Sequence, residues 1–398
     1  MTAAFRVPDR EIRERIRRVQ TELRHEEIDA LFIAHRADLF YFTGTAQNGF
    51  CYLPAEGEPA LFVRRYAPRA RQESGLEWIV EIRSVKELTD RIVDFFGPGR
   101  ARIGFELDVL SVRTFEFYRS LLEPSDVVDA SPLILKVRSV KSPWELAQID
   151  AAAALSAETF AHIRTLLEPG TTEMTLAGRI EAYARSRGHG GMLMSRGVGE
   201  SAYTWHVVAG KSGGVGGAID SPVSGEGTSP AFPSGAGHRR IQAHEPIMID
   251  FGTMLNGYHM DESRMFAVES MPEKAAAACR AAVEILNGLV EAVRPGVVAG
   301  DLFERAVSHA ARLGLETAFL GMPNYKSTFI GHGIGVELVE PPMIARRRTD
   351  VLLPGMTIAL EPKMCFEGEF AAGVESVVAV TDNGCRVVSQ TPVDIVVV

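Results

Sequence analysis

The sequence predicts an α+β protein of two domains, an α/β domain over residues 1–137 and a larger domain over residues 138–398 built from two similar halves. The chain has 398 residues, more than one domain usually contains. Strands and helices alternate in its first third, and a helix–helix–strand pattern then occurs twice. With 46% hydrophobic and 23% charged residues, the composition is typical of a globular protein.

The first domain begins with residues 9–26, which have the apolar spacing of an amphipathic helix. The stretch IDALFIAHRADLFYFTG then predicts an apolar strand, a polar break and a second short element. Further along, PALFVRR and RIGFE predict strands, whereas VKELTDRIVDFF and LSVRTFEFYRSLL predict helices. Strands that alternate with helices indicate a layered α/β unit. We place its end near Val137 because a new helix start follows.

The second domain begins with SPWE at 142–145, a capping box with proline at the first helical position. The helix that follows ends at Pro-Gly in LLEPG, residues 166–170. The same pattern recurs 126 residues later as AVRPG at 292–296, and Gly188 likewise matches Gly314. We interpret this as an internal duplication whose helices cover one face of a curved antiparallel sheet. Chance repetition of Pro-Gly helix ends is the alternative.

Two strand-like stretches flank Asn256-Gly257, a strong short-range signal for a β-hairpin. With these two residues as the loop, Asp250 lies opposite Ser263, and Gly252 lies opposite Asp261. Both aspartates then share one face of the hairpin, about 5–8 Å apart. The two carboxylates are therefore close enough to share metal ions.

A second hairpin is predicted around Glu367-Gly368-Glu369, and its register places Glu361 opposite Glu375. Two glutamates opposed in one ladder destabilise it unless a cation neutralises them. His332 lies between glycines in GHGIG, where a ligand can approach closely. This oxygen-rich set suits Mn, Co, Fe or Zn, and two divalent ions fit it better than one. The five predicted metal ligands are Asp250, Asp261, His332, Glu361 and Glu375.

Charge and cysteine usage exclude several classes of protein. The formal net charge of −9 disfavours nucleic acid or an anionic membrane as the main partner. The four cysteines are far apart and form no CxxC pair, so neither a zinc ribbon nor a disulfide framework is indicated. The N-terminus is charged where a signal peptide needs an apolar core, and no apolar stretch reaches membrane-spanning length. We therefore expect a cytoplasmic protein that is not anchored to a membrane.

The chain resembles the creatinase/aminopeptidase P/prolidase family, the M24 metallopeptidase-like proteins. The resemblance covers nearly the whole length and includes a YxTG element at 41–44. It implies a creatinase-like α/β domain followed by a pita-bread domain with a pseudo-twofold duplication, two divalent metal ions and a homodimer. By this resemblance Asp250 chelates one ion, His332 and Glu361 hold the other, and Asp261 and Glu375 bridge the two.

The sequence departs from this family at three positions. Peptidases of the family usually carry a substrate-side histidine seven residues after the metal histidine, where this chain has Val339, followed by Glu340. A second substrate-side histidine usually lies at the position of Pro233. The arginine often found two residues before the last glutamate is replaced by Gly373. Loss of a hydrogen-bond donor to a developing oxyanion typically lowers the rate about 10²–10³-fold.

Other side chains are expected to act on a substrate. By the resemblance, and because it is predicted beside the bridging site, Glu361 is the expected proton shuttle. His206 is a candidate catalytic residue, because it lies in a strand region that should line the cleft. We expect substrate contacts from Tyr203, His259, Val339 and Glu340, with His259 placed on the metal face by strand alternation. For His206 and His259, a structural role in the core or at the surface is the alternative.

These features predict a metal-dependent hydrolase that cleaves an amide or peptide C–N bond of a small substrate, such as an Xaa-Pro dipeptide. Because the substrate-side histidines are missing, two alternatives within the same fold remain open: a hydrolase of a small nitrogenous metabolite, and a metal-dependent lyase. A non-enzymatic binding module is a further alternative. The predicted partner in solution is a small molecule or a short peptide.

Overall fold

The structure is a computed structural model that describes residues 5–197, 205–217 and 219–398. It contains two compact units. One comprises the chain up to Arg138, joined by Arg196 and Gly197, and the other contains the remaining described residues. No helix of the described residues is both long enough and apolar enough to cross a bilayer. The four cysteines are unpaired.

The first unit is built on a six-stranded sheet in the order β4-β3-β2-β1-β5-β6. Its strands β1 and β2 and its strands β2 and β3 pair antiparallel, whereas the other neighbours are parallel. Aromatic rings on the sheet, among them Phe32, Phe62 and Phe105, form the centre of its core. The elements are α1 Asp9–His25, β1 Ala30–Ile33, α2 Arg36–Thr43, β2 Gly49–Pro54, β3 Ala60–Val63, α3 Ala67–Glu73, β4 Trp78–Glu81, α4 Leu88–Phe96, β5 Arg102–Phe105, α5 Val112–Leu121, β6 Asp126–Asp129 and α6 Ser131–Ser139.

Helix α1 forms because its apolar side chains recur at helical spacing. Ile12, Ile16, Val19 and Leu23 are all buried on one face. The predicted helix over 9–26 is confirmed to within one residue, and strands β3 and β5 lie where PALFVRR and RIGFE predicted them. The short element after the first strand is a helix, α2, which ends at Gly44 in a left-handed conformation.

The second unit contains two main antiparallel sheets. One has the order β13-β12-β14-β17-β18, and the other has the order β19-β9-β8-β7, with β19 added in parallel; two-stranded ladders join β10 to β11 and β15 to β16. The elements are α7 Pro143–Ile163, α8 Glu173–Ser186, β7 Trp205–Ala209, β8 Ile247–Leu255, β9 Tyr258–Ala267, α9 Glu273–Ala292, α10 Ala299–Arg312, β10 Gly321–Met322, β11 Tyr325–Lys326, β12 Phe329–Gly333, β13 Glu340–Ala345, β14 Thr357–Leu360, β15 Lys363–Phe366, β16 Phe370–Gly373, β17 Ser376–Val380, β18 Cys385–Val387 and β19 Val396–Val397.

The helix pair α7 and α8 recurs as α9 and α10. Helix α8 spans Glu173–Ser186 and α10 spans Ala299–Arg312. Both helices therefore begin and end 126 residues apart, the spacing that the Pro-Gly breaks predicted. Gly170 and Gly296 both have positive φ, 89° and 86°, the conformation that glycine tolerates best after a helix. The predicted capping box of α7 is present.

Both predicted hairpins form with the predicted registers. In the first, Asn256 and Gly257 have φ of 55° and 84°, Asp250 pairs with Ser263, and Gly252 pairs with Asp261. In the second hairpin the same register holds along both strands, but the ladder of backbone hydrogen bonds is interrupted. The pairs Leu360 with Ser376 and Lys363 with Gly373 lie on either side of the gap.

The gap in the second hairpin contains the two glutamates that were expected to pair directly. Pro362 has no backbone N–H to donate to the ladder. The backbone of Glu361 instead donates to the carbonyl of Ile330, and that of Glu375 donates to the carbonyl of Ser263. These bonds connect the second hairpin to β12 and to β9, which carry other predicted ligands.

Candidate metal centre

The five predicted metal ligands all lie in the second unit and converge. Asp250 is on β8, Asp261 on β9 and His332 on β12, while Glu361 follows β14 and Glu375 precedes β17. Four of the five are buried, and Asp250 is nearly so. The strand pairing explains the convergence, since the hairpin β8–β9 brings the aspartates together and the bonds of Glu361 and Glu375 join the other strands to them.

His332 faces three of these carboxylates. Its Nε2 atom lies 4.0 Å from an oxygen of each of Asp261, Glu361 and Glu375. Its Nδ1 atom is 3.0 Å from the carbonyl oxygen of Gly333, to which it donates, so Nε2 is left as the atom that can ligate. Metal–ligand bonds of about 2.0–2.2 Å allow two ligands of one ion to lie up to about 4 Å apart. The spacing therefore fits a cation bound between the ring and the carboxylates.

The buried carboxylates of this cluster repel one another, so a bound cation would stabilise them. The Oε1 atom of Glu375 is buried and has no hydrogen-bond partner among the described residues. Burial raises the pKa of Glu375 to about 8, with Lys363 opposing the increase and neighbouring carboxylates adding to it. Burial also raises the pKa of Asp261 well above its usual value, and Glu375 and Asp250 add to that shift. Asp261, His332 and Glu375 each offer one ligand atom, and these three atoms lie within 4.8 Å of one another.

Lys363, which was not among the predicted site residues, lies in the centre of this site. The Nζ atom of Lys363 donates to Asp250 Oδ2 at 2.8 Å, to Glu361 Oε2 at 2.9 Å and to Glu375 Oε2 at 2.8 Å. Its side chain is 1% exposed. Burial disfavours the charged form, but these three carboxylates outweigh that effect and hold the pKa of Lys363 well above its usual value. The side chain is therefore an ammonium ion.

The site makes room for this lysine at Gly373, which pairs with Lys363 across the ladder of β15 and β16. A Cβ atom on Gly373 would lie 2.7 Å from both Cα and Cγ of Lys363. Such contacts are far shorter than van der Waals distance, so a larger residue at 373 requires Lys363 to move. The absence of a side chain at 373 is thus part of how the lysine is accommodated.

The residues present fit one divalent ion and not, in this arrangement, two. Asp261, His332 and Glu375 supply an oxygen–nitrogen–oxygen set with an unpartnered buried oxygen, which suits Mn, Co, Fe or Zn. One oxygen each of Asp250 and Glu375, which the resemblance assigns to the other ion, instead accepts a hydrogen bond from Lys363, as does one oxygen of Glu361. The predicted pair of ions is therefore not matched by the geometry around Asp250.

His206, the predicted catalytic histidine, lies beside Asp250. It pairs with Asp250 across β7 and β8, and its Nδ1 atom lies 3.5 Å from Asp250 Oδ2. Burial works against ionisation of Asp250, but Lys363 and His206 more than compensate and hold the pKa of Asp250 below its usual value. The imidazole is 12% exposed, so it is partly accessible at the edge of the site.

Two of the predicted substrate contacts have other roles in the structure. His259 is fully buried; its Nδ1 donates to the carbonyl of Gly335 at 3.1 Å, and its Nε2 accepts from the backbone N–H of Met194 at 2.9 Å. Strand alternation indicated the correct face, but backbone from remote segments covers the ring. His259 thus supports two segments rather than contacting substrate.

Glu340 likewise differs from its predicted role. It accepts a hydrogen bond from Lys141 Nζ at 2.7 Å, and both side chains are 1% exposed. The carboxylate is therefore committed to a buried ion pair. Val339 is 37% exposed and precedes β13. The predicted contact at Tyr203 lies outside the described residues.

Comparisons with known proteins agree with this architecture. Residues 147–382 match the metallopeptidase family M24, and residues 15–140 match the creatinase/prolidase N-terminal domain. The chain is 25% identical over 375 residues to the uncharacterized peptidase YqhT of Bacillus subtilis, covering 93% of this chain and 96% of that protein. It is 23% identical over 386 residues to an Xaa-Pro dipeptidase of Pyrococcus furiosus, covering 96% and 99%.

A solved structure shows the same fold. The Xaa-Pro dipeptidase from Bacillus anthracis superposes with a TM-score of 0.82 at 22% identity, covering 97% of this chain and 100% of that chain. Because the M24 match spans more than half of the sequence, the chain belongs to metallopeptidase family M24. The predicted fold, a creatinase-type N-terminal domain followed by a pita-bread domain, is confirmed. The protein is an enzyme of the M24 metallohydrolase type.

Proposed function

We propose that this protein is a metal-dependent hydrolase that cleaves an amide or peptide C–N bond of a small substrate, with Xaa-Pro dipeptides as the first substrate class. The observation that carries the proposal is the convergence of Asp261, His332 and Glu375 around one point, with Glu375 Oε1 buried and unpartnered among the described residues. Relatives and structural neighbours that are Xaa-Pro dipeptidases support the substrate class.

A divalent ion bound there supplies the Lewis-acid chemistry that amide hydrolysis requires. The chain's own contribution is the placement of proton-accepting and charged groups around the reacting bond. Glu361 is the proposed proton shuttle. Its Oε2 atom is held by Lys363, which leaves Oε1, 4.0 Å from His332 Nε2, as the oxygen available to accept and release a proton.

His206 is proposed to contact the substrate. Its Nδ1 atom lies 3.5 Å from Asp250 Oδ2, and the side chain is 12% exposed. An imidazole oriented by a carboxylate can donate a hydrogen bond to a leaving nitrogen or to a substrate carboxylate. This placement favours His206 over His259 as the histidine that takes part in the reaction.

A second candidate is hydrolysis of a small nitrogenous metabolite, or a lyase reaction, rather than peptide cleavage. It is favoured by Val339 and Gly373, which stand where M24 peptidases usually carry a histidine and an arginine toward the substrate. A valine cannot donate a hydrogen bond to an oxyanion, and the cation nearest to Gly373 is Lys363, whose three carboxylate partners engage it fully.

The test is an assay of protein stripped with a chelator and reloaded separately with Mn, Co, Zn and Fe. The substrates are Xaa-Pro dipeptides, the matched Xaa-Ala dipeptides, and small non-peptide amides. We expect Xaa-Pro turnover that depends on added metal and is lost in His332→Ala, a variant checked for folding by circular dichroism. Turnover of the non-peptide amides alone would favour the second candidate, and turnover without metal would contradict the proposal.

Three finer expectations remain predictions. A preference for manganese is measured in the same reloading series. The homodimer implied by the family resemblance is measured by light scattering on the purified protein. A cytoplasmic location is measured by cell fractionation.

A further inference from the structure

We infer that the ammonium group of Lys363 takes the place of one metal ion, so that the centre binds a single divalent cation at Asp261, His332 and Glu375. The inference rests on the metal dependence in the proposed function, but not on the identity of the substrate. It assigns to Lys363 a positioning role that the family resemblance does not include.

The hydrogen bonds of Lys363 use its whole donor capacity. An ammonium group has three N–H donors, and the structure gives this one three carboxylate partners at 2.8–2.9 Å. A cation bound beside Asp250 and Glu375 would occupy the position of the Lys363 ammonium and compete with it for their Oδ2 and Oε2 atoms. The lysine and a second ion therefore exclude each other at this position.

Glu361 and Glu375 each direct one oxygen to the lysine and the other towards His332. In both Glu361 and Glu375, Oε2 accepts from Lys363, while Oε1 lies 4.0 Å from His332 Nε2. Ser263 adds a hydrogen bond of 3.0 Å to Glu375 Oε2, which fixes that carboxylate further. A cation held at His332 would thus lie on the opposite side of Glu375 from the Lys363 ammonium, which is covalently attached to the chain.

The neighbouring strand β16 leaves space for the lysine side chain. Gly373 lies opposite Lys363, and any side chain there would meet Lys363 Cα and Cγ at 2.7 Å and Cβ at 2.9 Å. Glycine at 373 is therefore what allows the lysine side chain to pass over β16 towards the carboxylates. Since the side chain is 1% exposed, displacement by an ion from solution would require its whole aliphatic stem to move.

In the reaction, Lys363 and the metal position have different roles. The ammonium neutralises carboxylates but has no coordination position for water or substrate and no N–H left to donate. It therefore fixes the geometry of Asp250 and Glu361, while the single ion and the residues around it contact the substrate. Lys363 is a positioning residue and not a catalytic one.

The experiment measures bound metal per chain. Protein stripped with chelator is dialysed against excess Mn²⁺, freed of unbound ions and analysed by mass spectrometry for metal content and by electron paramagnetic resonance. We expect one Mn²⁺ per chain with the spectrum of an isolated ion. Lys363→Ala is expected to bind about two, with a spectrum broadened by coupling between neighbouring ions.

Asp250→Asn is the matched control, because it alters a partner of Lys363 that lies outside the proposed ligand set. Its metal content is expected to stay at one per chain, whereas in a two-ion centre held by Asp250 it would fall. This variant also decides the question if Lys363→Ala fails to fold. His332→Ala is expected to lose the ion.

Two ions in the unaltered protein would overturn the inference while leaving the proposed metal-dependent function intact. No bound ion at all would overturn both. A single ion that is lost in Asp250→Asn would also refute the inference, because it would locate that ion where the lysine is proposed to stand.

Discussion

Replacement of Lys363 in the metal-free protein is predicted to destabilise it strongly. The lysine is the common hydrogen-bond donor to Asp250, Glu361 and Glu375. Removal of one partner from a buried charge network typically costs about 3–5 kcal/mol because the remaining charges are left uncompensated. A domain's total free energy of unfolding is about 5–15 kcal/mol. Lys363→Ala should therefore unfold at much lower urea concentrations than the unaltered protein when chelator is present.

Divalent metal is predicted to restore the lost stability of Lys363→Ala. An ion that binds only the folded state stabilises it by about 2.7 kcal/mol at a free concentration one hundred times its dissociation constant. The unaltered protein gains one such increment and Lys363→Ala gains two, because the space left by the lysine accepts a second ion. Lys363→Met should show the same loss but gain only one increment, since its side chain fills that space.

The assay is urea unfolding followed by circular dichroism, with chelator or with excess Mn²⁺, for each variant. Lys141→Met is the matched control, because Lys141 also forms a buried ion pair, with Glu340 at 2.7 Å. It should lose comparable stability and gain no more from Mn²⁺ than the unaltered protein. Equal unfolding midpoints for Lys363→Ala and the unaltered protein in chelator would refute the reasoning, as would an equal gain from Mn²⁺ in both.

Three further predictions concern single positions. Gly373→Ala should lower the free energy of unfolding by about 1–3 kcal/mol, because its Cβ overlaps Lys363; an unchanged urea midpoint would contradict this. His332→Ala should remain folded by circular dichroism but lose the Mn²⁺-induced rise in melting temperature, and a retained rise would show that the ion binds elsewhere. Gly257→Ala should lower the free energy of unfolding in urea by about 1 kcal/mol, because φ is 84° there. Gly368→Ala in the other hairpin, where φ is 69°, should lower it by a similar amount.

The hairpins were predictable because their information is local. Asn-Gly at 256–257 selects a two-residue turn, and the side-chain period of two then fixes which residues share a face. The register of β8 and β9 follows from these two facts alone, and with it the approach of Asp250 to Asp261. The duplication was predictable for a similar reason, since each Pro-Gly break follows a helix and precedes the next one at the same spacing.

The roles of His259 and Glu340 were not predictable from local pattern. Alternation along β9 indicates which face His259 occupies, but not what covers it, and the groups that engage its ring belong to Met194 and Gly335. The partner of Glu340 is Lys141, which is 199 residues away in the chain. A buried polar side chain must be paired, yet the sequence does not say which distant group provides the pair.

The position of Lys363, by contrast, could have been predicted from the same hairpin register that located the acidic residues. In the second hairpin Lys363 lies two residues after Glu361, and Gly373 lies two residues before Glu375, so alternation places all four on one face. The same register sets Lys363 directly opposite Gly373. Gly373 and Lys363 are therefore structurally linked, because the absence of a side chain at 373 leaves the space that the lysine side chain occupies. Considered separately, Gly373 predicts only a lost substrate contact, whereas together with Lys363 it supports the proposal of a centre with a single ion.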